Sequence, residues 1–93
     1  MTKIRTLVIR VLDDVAGIQN NAAFTEALLQ DKDVSLDLMN VGDLARFDAI
    51  MQIEDSLGIE IDDDELLEQA TLNSLVAFVE RLAAAKPASP SAG

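Results

Sequence analysis

The chain has 93 residues, which is the size of one small domain. It contains no histidine and no cysteine, which excludes imidazole and thiolate catalysis, zinc sites built from these residues, and disulfide bonds. Seventeen acidic and seven basic residues give a formal net charge of −10 at pH 7. This charge disfavours binding to nucleic acid or to an anionic membrane surface and favours a protein partner with a basic surface.

The N-terminal segment does not have the pattern of a targeting sequence. Its apolar run is interrupted by Arg10, Asp13 and Asp14, and no small-residue cleavage site follows. No stretch of the chain approaches the ~20 uninterrupted apolar residues that a membrane-spanning helix needs. We therefore expect a cytoplasmic protein.

The first predicted helix covers residues 3–16. Its apolar residues, from Ile4 to Val15, recur at offsets 0, 3, 4, 7, 8 and 11, which is the spacing of one helical face. Thr2 is placed to cap this helix and Gly17 to end it. The pattern is that of an amphipathic helix packed on a core.

The long connection that follows, residues 18–38, is less regular. Residues 22–29 are predicted to form a short helix within it, and the charged residues 31–33 are interpreted as a solvated break. We expect this part of the chain to run over the surface.

A second main helix is predicted from Leu44 onward, until Gly58 stops it. Asp43 stands at the N-cap position, where a carboxylate accepts hydrogen bonds from the first turn and favours the helix dipole by about 1 kcal/mol. The residues expected on its apolar side are Leu44, Phe47, Ile50, Met51 and Leu57.

A short third helix and a last main helix complete the predicted fold. Residues 58–61 read as extended, Asp62 or Asp63 can cap a short helix that ends at Leu67, and Thr71 starts the last helix. We therefore predict an all-α, four-helix bundle of three main helices and a short third helix over residues 1–83. Two prolines and small residues predict a disordered tail over residues 84–93.

The composition offers no catalytic constellation, and we expect no enzyme activity. Unperturbed carboxylates, hydroxyls, lysines and arginines do not titrate near neutral pH. The acidic run 62–65 lacks the alternating ligands and the glycine of a calcium-binding EF-hand loop. We interpret it as the start of a helix, not as a metal site.

The acidic residues are concentrated in one part of the chain. Ten of them lie between Asp43 and Glu68, together with a single base, Arg46. An acidic surface also serves solubility alone. Their concentration on one helix and the loop after it favours a docking surface for a basic partner.

Three stretches resemble the acyl, peptidyl and aminoacyl carrier proteins. Residues 33–36 match the family's D-x-S-L loop, residues 51–57 match the end of its second helix, and residues 58–62 match the turn after that helix. The resemblance extends over about residues 3–82. It implies a four-helix carrier-protein bundle that carries acyl groups as thioesters on 4′-phosphopantetheine, joined to the serine of an Asp-Ser-Leu motif.

In this register Gly42, Asp43 and Leu44 stand where the family has Asp-Ser-Leu. A carboxylate that attacked the same phosphorus would form a labile acyl phosphate, and its charge would oppose an anionic donor. We therefore expect 4′-phosphopantetheine to be absent from Asp43. This substitution is interpreted as a natural loss, an engineered Ser-to-Asp variant, or a helix cap retained after the loss of activity.

Two other serines are alternative attachment sites. Ser56 lies in a literal Asp-Ser-Leu sequence, but it stands only five residues before Ile61, at the end of the helix instead of its start. Ser35 matches the hydroxyl residue of the family's upstream loop. A working carrier modified at Ser56 remains one alternative.

The resemblance also implies a partner surface made of Leu44, Asp48, Glu54 and Asp55. The partners expected are acyl- or aminoacyl-transfer enzymes or other biosynthetic enzymes, for example of fatty acid or secondary metabolite biosynthesis, whose lysines and arginines meet the acids of a monomeric carrier. Arg46 departs from the family's acidic pattern. The rival hypothesis is an acidic adaptor or interaction protein whose likeness to carriers is only architectural.

Overall fold

The computed structural model describes residues 3–85, and within them it contains only helices and connections. This confirms the predicted all-α bundle. Thr2 and the part of the predicted tail from residue 86 onward lie outside the described residues. The helices are α1 (Lys3–Ala16), α2 (Ala22–Gln30), α3 (Asp43–Leu57), α4 (Asp63–Leu67) and α5 (Leu72–Ala85), with a single 3-10 turn at Ile18–Asn20.

The core lies between the three long helices, because each of them buries apolar residues along one side. α1 packs against both α3 and α5. Leu12, Ile53 and Val79, one from each helix, are completely buried, and burial of such a side chain stabilises the fold by about 1.5–3 kcal/mol. The apolar periodicity of α1 and α5 therefore predicts the correct sides of these helices.

Glycines and an aspartate define the ends of the helices as expected. Gly17 and Gly58 have the left-handed φ values of 63° and 66°, a conformation that glycine adopts without a steric penalty. Asp62 caps α4, since its Oδ1 accepts a hydrogen bond of 3.1 Å from the Glu65 N–H. Thr71 precedes α5, and its Oγ1 accepts from the Ser74 N–H at 3.2 Å.

The short helix predicted in the first connection is α2, which is one residue longer than expected. Asn21 caps it, because its side-chain oxygen accepts from the N–H groups of Ala23 and Phe24. Phe24 is the buried residue of this helix, while Leu28 and Leu29 are exposed. The capping residue therefore predicts the start of α2 better than its weak periodicity does.

The connection from α2 to α3 is anchored to the start of α5. The Leu36 N–H donates to the Ala70 carbonyl and the Leu72 N–H donates to the Val34 carbonyl, each at 2.9 Å. A β-bridge between Ser35 and Thr71 lies between these two bonds. The loop before α3 therefore has a fixed position.

Residues 31–33 are exposed after the end of α2, as the predicted solvated break requires, but Asp33 is also hydrogen-bonded within the fold. Its Oδ1 accepts from the N–H of Val34 at 2.8 Å and from the N–H of Asn73 at 2.9 Å. Partial burial alone would raise the pKa of Asp33, but these bonds, a bond from the Thr71 hydroxyl and the charge of Arg5 together lower it below the usual 3.8. Asp33 thus ties the loop to α5.

The apolar side predicted for α3 was wrong at two positions. Leu44 is 81% exposed and Met51 is 62% exposed. The buried side of α3 is instead formed by Arg46, Ala49, Ile50 and Ile53. The apolar residues of α3 occupy both sides of the helix, so periodicity alone does not identify the side that faces the core.

Candidate docking face on the third helix

The start of α3 is one residue earlier than the sequence indicates. Gly42 is the N-cap, with extended backbone angles, and its carbonyl accepts the first helical hydrogen bond from the Arg46 N–H at 2.9 Å. Asp43 is therefore the first helical residue, and the prediction that it is the N-cap was wrong. Gly42 offers no side-chain acceptor to the free N–H groups of the first turn.

Asp43 is exposed at this helix start. Among residues 3–85, none forms a hydrogen bond or an ion pair with its carboxylate. The carboxylate places one negative charge at the positive end of the α3 dipole, which is a favourable location for an anion. It has no hydroxyl oxygen, so this residue does not fit a prosthetic group that is joined through a serine phosphodiester.

Three of the four residues expected to contact partners lie along one exposed side of α3. Leu44, Asp48 and Asp55 are exposed, and Met51 lies between them on the same side. Their offsets of 0, 4, 7 and 11 residues follow one helical stripe. We call the stripe formed by Leu44, Asp48, Met51 and Asp55 the α3 outer face; it is opposite the buried Ile53.

Glu54, the fourth of these residues, is separate from the α3 outer face. It is half-buried, and its Oε2 accepts a hydrogen bond of 2.7 Å from the Ile61 N–H. Ile61 is itself buried. Glu54 therefore fixes the turn after α3 through a bond that the sequence does not indicate.

Arg46 faces the protein interior, although its charge suggests a surface position. Its side chain is 9% exposed, its Nη2 lies 2.9 Å from Asp37 Oδ1, and its Nε donates to the Val41 carbonyl at 3.0 Å. Arg46 is the one basic residue between Asp43 and Glu68, and it therefore points away from the α3 outer face. Arg46 lies three residues after Asp43, on the same side of α3 as the buried Ala49 and Ile53. This helical register is the sequence signal that could have predicted the burial of Arg46.

The two alternative serines have different surroundings. Ser56 is exposed and is the second-last residue of α3, in the last turn as expected. Ser35 is half-buried beside the bridge to Thr71, and its Oγ accepts from the Asp37 N–H at 3.1 Å. Neither serine lies at the start of a helix.

An open groove runs between the end of α1 and the α3 outer face. Its volume is about 450 Å³. The residues that line it are Asp14, Val15, Asp48, Met51, Gln52 and Asp55. The groove therefore combines carboxylates with the apolar side chains of Val15 and Met51.

Two features are absent from the described part of the chain. No three or more acidic side chains converge in a way that suits a metal ion. No helix there is both long enough and apolar enough to span a membrane.

The chain matches a family model described as the phosphopantetheine attachment site over residues 2–79. These residues include α1 to α4 and most of α5. Comparison with curated proteins and with solved structures gives no match.

Proposed function

The chain belongs to the carrier-protein family of the phosphopantetheine attachment site, and from this premise we propose that it docks on acyl- or aminoacyl-transfer enzymes or other biosynthetic enzymes without carrying a group on Asp43. Carrier domains are not catalytic, so the chain is not an enzyme. The observation that carries this proposal is the α3 outer face, which exposes two apolar and two acidic side chains in alternation next to Asp43.

The chemistry of Asp43 supports the absence of 4′-phosphopantetheine. The family's attachment needs a hydroxyl oxygen at the start of this helix, and Asp43 supplies a carboxylate there. A carboxylate repels an anionic phosphate donor, and an acyl phosphate hydrolyses more readily than a phosphodiester. The single charge of Asp43 equals that of the phosphodiester, so the electrostatic field at the start of α3 resembles that of a modified carrier.

The exposure of the α3 outer face supports docking. Leu44 and Met51 are large apolar side chains that lie in water, where they are available to a partner. Asp48 and Asp55 flank them, and Arg46 does not neutralise them because it bonds to Asp37. Acidic groups around an apolar centre match partners whose docking surfaces carry lysines and arginines.

We propose that the chain acts as a monomer in the cytoplasm. A net charge of −10 makes two copies repel one another, and the acids of the α3 outer face would meet acids across a symmetric interface. Sedimentation at low and high salt measures the oligomeric state, and a dimer at low salt would contradict the proposed monomer.

The test of the proposed function is incubation with coenzyme A and a promiscuous phosphopantetheinyl transferase, followed by measurement of the intact mass. We expect no change for the unaltered chain and the gain of one phosphopantetheinyl group for Asp43→Ser. Asp43→Ala is the matched control, because it removes the carboxylate without supplying a hydroxyl. A gain by the unaltered chain would contradict the proposal, and peptide mapping would show whether Ser56 or Ser35 carries the group.

The salt dependence of partner binding tests docking separately. Exposed charge pairs steer association and are screened by salt, with a Debye length of about 10 Å at 0.1 M. Affinity for a candidate enzyme should therefore fall markedly between low salt and about 0.5 M, where screening is strong. An affinity that does not respond to salt would contradict docking through these acids.

The rival hypothesis, an acidic adaptor whose likeness to carriers is only architectural, makes a different prediction. Such a protein would not gain modification after Asp43→Ser, because a transferase would not recognise it. The Asp43→Ser experiment therefore separates the two hypotheses.

A further inference from the structure

The groove between α1 and α3 extends the α3 outer face onto a second helix. Asp14 and Val15, near the end of α1, form one side of it, and Asp48, Met51 and Asp55 form the other. Val15 and Met51 give it an apolar part, and Met51 is 62% exposed there. A long aliphatic side chain with a positive end group is complementary to such a surface, since its stem covers apolar atoms while its charge meets the acids.

Two of the acids occupy positions that disfavour helix stability. Asp14 lies in the last turn of α1 and Asp55 in the last turn of α3, and neither turn contains a basic residue. A helix C-terminus is the negative end of the dipole, where an anion is unfavourable. The placement of these carboxylates is therefore not explained by the stability of the fold.

The groove carboxylates are also without a basic partner within residues 3–85. The ion pair described there joins Arg46 to Asp37, on the other side of α3. Arg10 lies one turn before Asp14 on α1, but it does not line the groove. No basic side chain of residues 3–85 therefore covers these acids, and a basic partner can approach them.

We infer that the α1–α3 groove is part of the docking footprint and that an arginine or lysine of the partner protein occupies it, with its stem against Val15 and Met51. Its charged group pairs with Asp14 on one side and with Asp48 or Asp55 on the other. This inference rests on the proposed docking function and assigns the end of α1 a role in it. The partner surface that fits is an amphipathic helix with apolar residues flanked by arginines or lysines.

The inference is tested by NMR titration of the isotope-labelled chain with a synthetic amphipathic helix that has leucines on one side flanked by arginines. We expect the amide chemical shifts to change on both sides of the groove, at Asp14 and Val15 on α1 and at Met51 on α3. Asp14→Asn should weaken binding roughly two- to fivefold, the range for an exposed charge pair, without lowering the melting temperature. Glu26→Gln is the matched control, because it removes the same charge from α2, outside the groove.

Two outcomes would overturn the inference in distinguishable ways. If shifts are confined to α3 and Asp14→Asn binds as the unaltered chain does, the footprint ends at α3, and the proposed function stands without the groove. If the arginine helix binds neither wall, or a helix with glutamates in place of the arginines binds equally well, both the groove and docking through the acids are excluded.

Discussion

Arg46 and Asp37 form an ion pair whose two members differ greatly in exposure: the Arg46 side chain is 9% exposed and that of Asp37 is 88% exposed. The same guanidinium bonds to the Val41 carbonyl. Arg46 therefore joins the loop before α3 to the buried side of the helix. Asp37 contributes less, because water can largely replace the contact of such an exposed carboxylate.

This asymmetry predicts unequal effects of the two alanine variants. Arg46→Ala should destabilise the fold by about 1–3 kcal/mol, because it leaves a buried carbonyl without its donor. Asp37→Ala should cost less, about 1 kcal/mol, because the Asp37 side chain is 88% exposed and water screens its charge. Urea unfolding of both variants measures the difference, and equal losses would contradict the dominant role of Arg46.

Alanine variants at two large apolar residues of α3 should distinguish effects on folding from effects on docking. Ile53 is completely buried, so Ile53→Ala should destabilise the fold by about 2–5 kcal/mol. Leu44 is 81% exposed, so Leu44→Ala should change stability by no more than about 0.5 kcal/mol while weakening partner binding. Thermal unfolding and a binding titration check the two effects. Unchanged binding by Leu44→Ala would exclude this residue from the docking surface.

Gly42 offers a site where the fold can be stabilised. Its φ is −75° and no atom lies within 4 Å of an added Cβ. Gly42→Ser would place a hydroxyl where it caps the first turn of α3, whereas Gly42→Ala adds the Cβ without an acceptor. We expect the serine variant to be more stable than the alanine variant by about 1 kcal/mol. Equal melting temperatures for the two variants would show that the hydroxyl does not reach the first-turn N–H groups.

The hydrogen bonds of Asp33 predict a dependence of stability on acid. The pKa of Asp33 is lower in the folded chain than its ordinary value of 3.8, so its contribution is complete above 3.8 and is lost as the pH falls through the folded-state pKa. Asp33→Asn keeps an acceptor but loses the charge. The stability gap between this variant and the unaltered chain should therefore narrow below 3.8.

Urea unfolding across the acidic range measures this gap. Asp31→Asn is the control, because it neutralises an exposed carboxylate in the same connection. If the difference in the free energy of unfolding between Asp33→Asn and the unaltered chain stays constant as the pH falls, the hydrogen bonds of Asp33 do not depend on its charge.

Glu54 should affect the turn after α3 more than docking. Its carboxylate accepts from the Ile61 N–H, and the loss of a hydrogen bond to a charged group costs about 1.5–3 kcal/mol in general. We expect Glu54→Ala to approach the lower end of this range, because Glu54 is only half-buried. Hydrogen exchange at the Ile61 amide should accelerate, whereas Asp55→Ala should leave it unchanged.

The sequence predicts the helices that have a single apolar side, a clear cap or a glycine end. The apolar spacing of α1 and α5, the Asp62 cap and the glycine at position 58 all predict local structure correctly, because the responsible residues are neighbours along the chain. The same local signals fail for α3, where the apolar Leu44 and Met51 lie on the side that faces water.

The candidate site is only partly predictable for the same reason. Asp33 bonds to an amide forty residues later, and Arg46 bonds to a carboxylate in a preceding loop. Such pairs become visible only when the helices are packed. The helical register of Asp48 and Asp55, by contrast, follows from sequence spacing once the extent of α3 is known.

The pairing of Val34 and Leu36 with Leu72 and Ala70 fastens together the two ends of the segment that contains α3 and α4. The chain between these contacts forms a loop whose two ends are held together by backbone hydrogen bonds. That segment holds Asp43 and the whole α3 outer face. Because α3 also packs on α1 in the shared core, the segment is held both by backbone bonds at its ends and by apolar burial, and neither depends on the side chains of the α3 outer face.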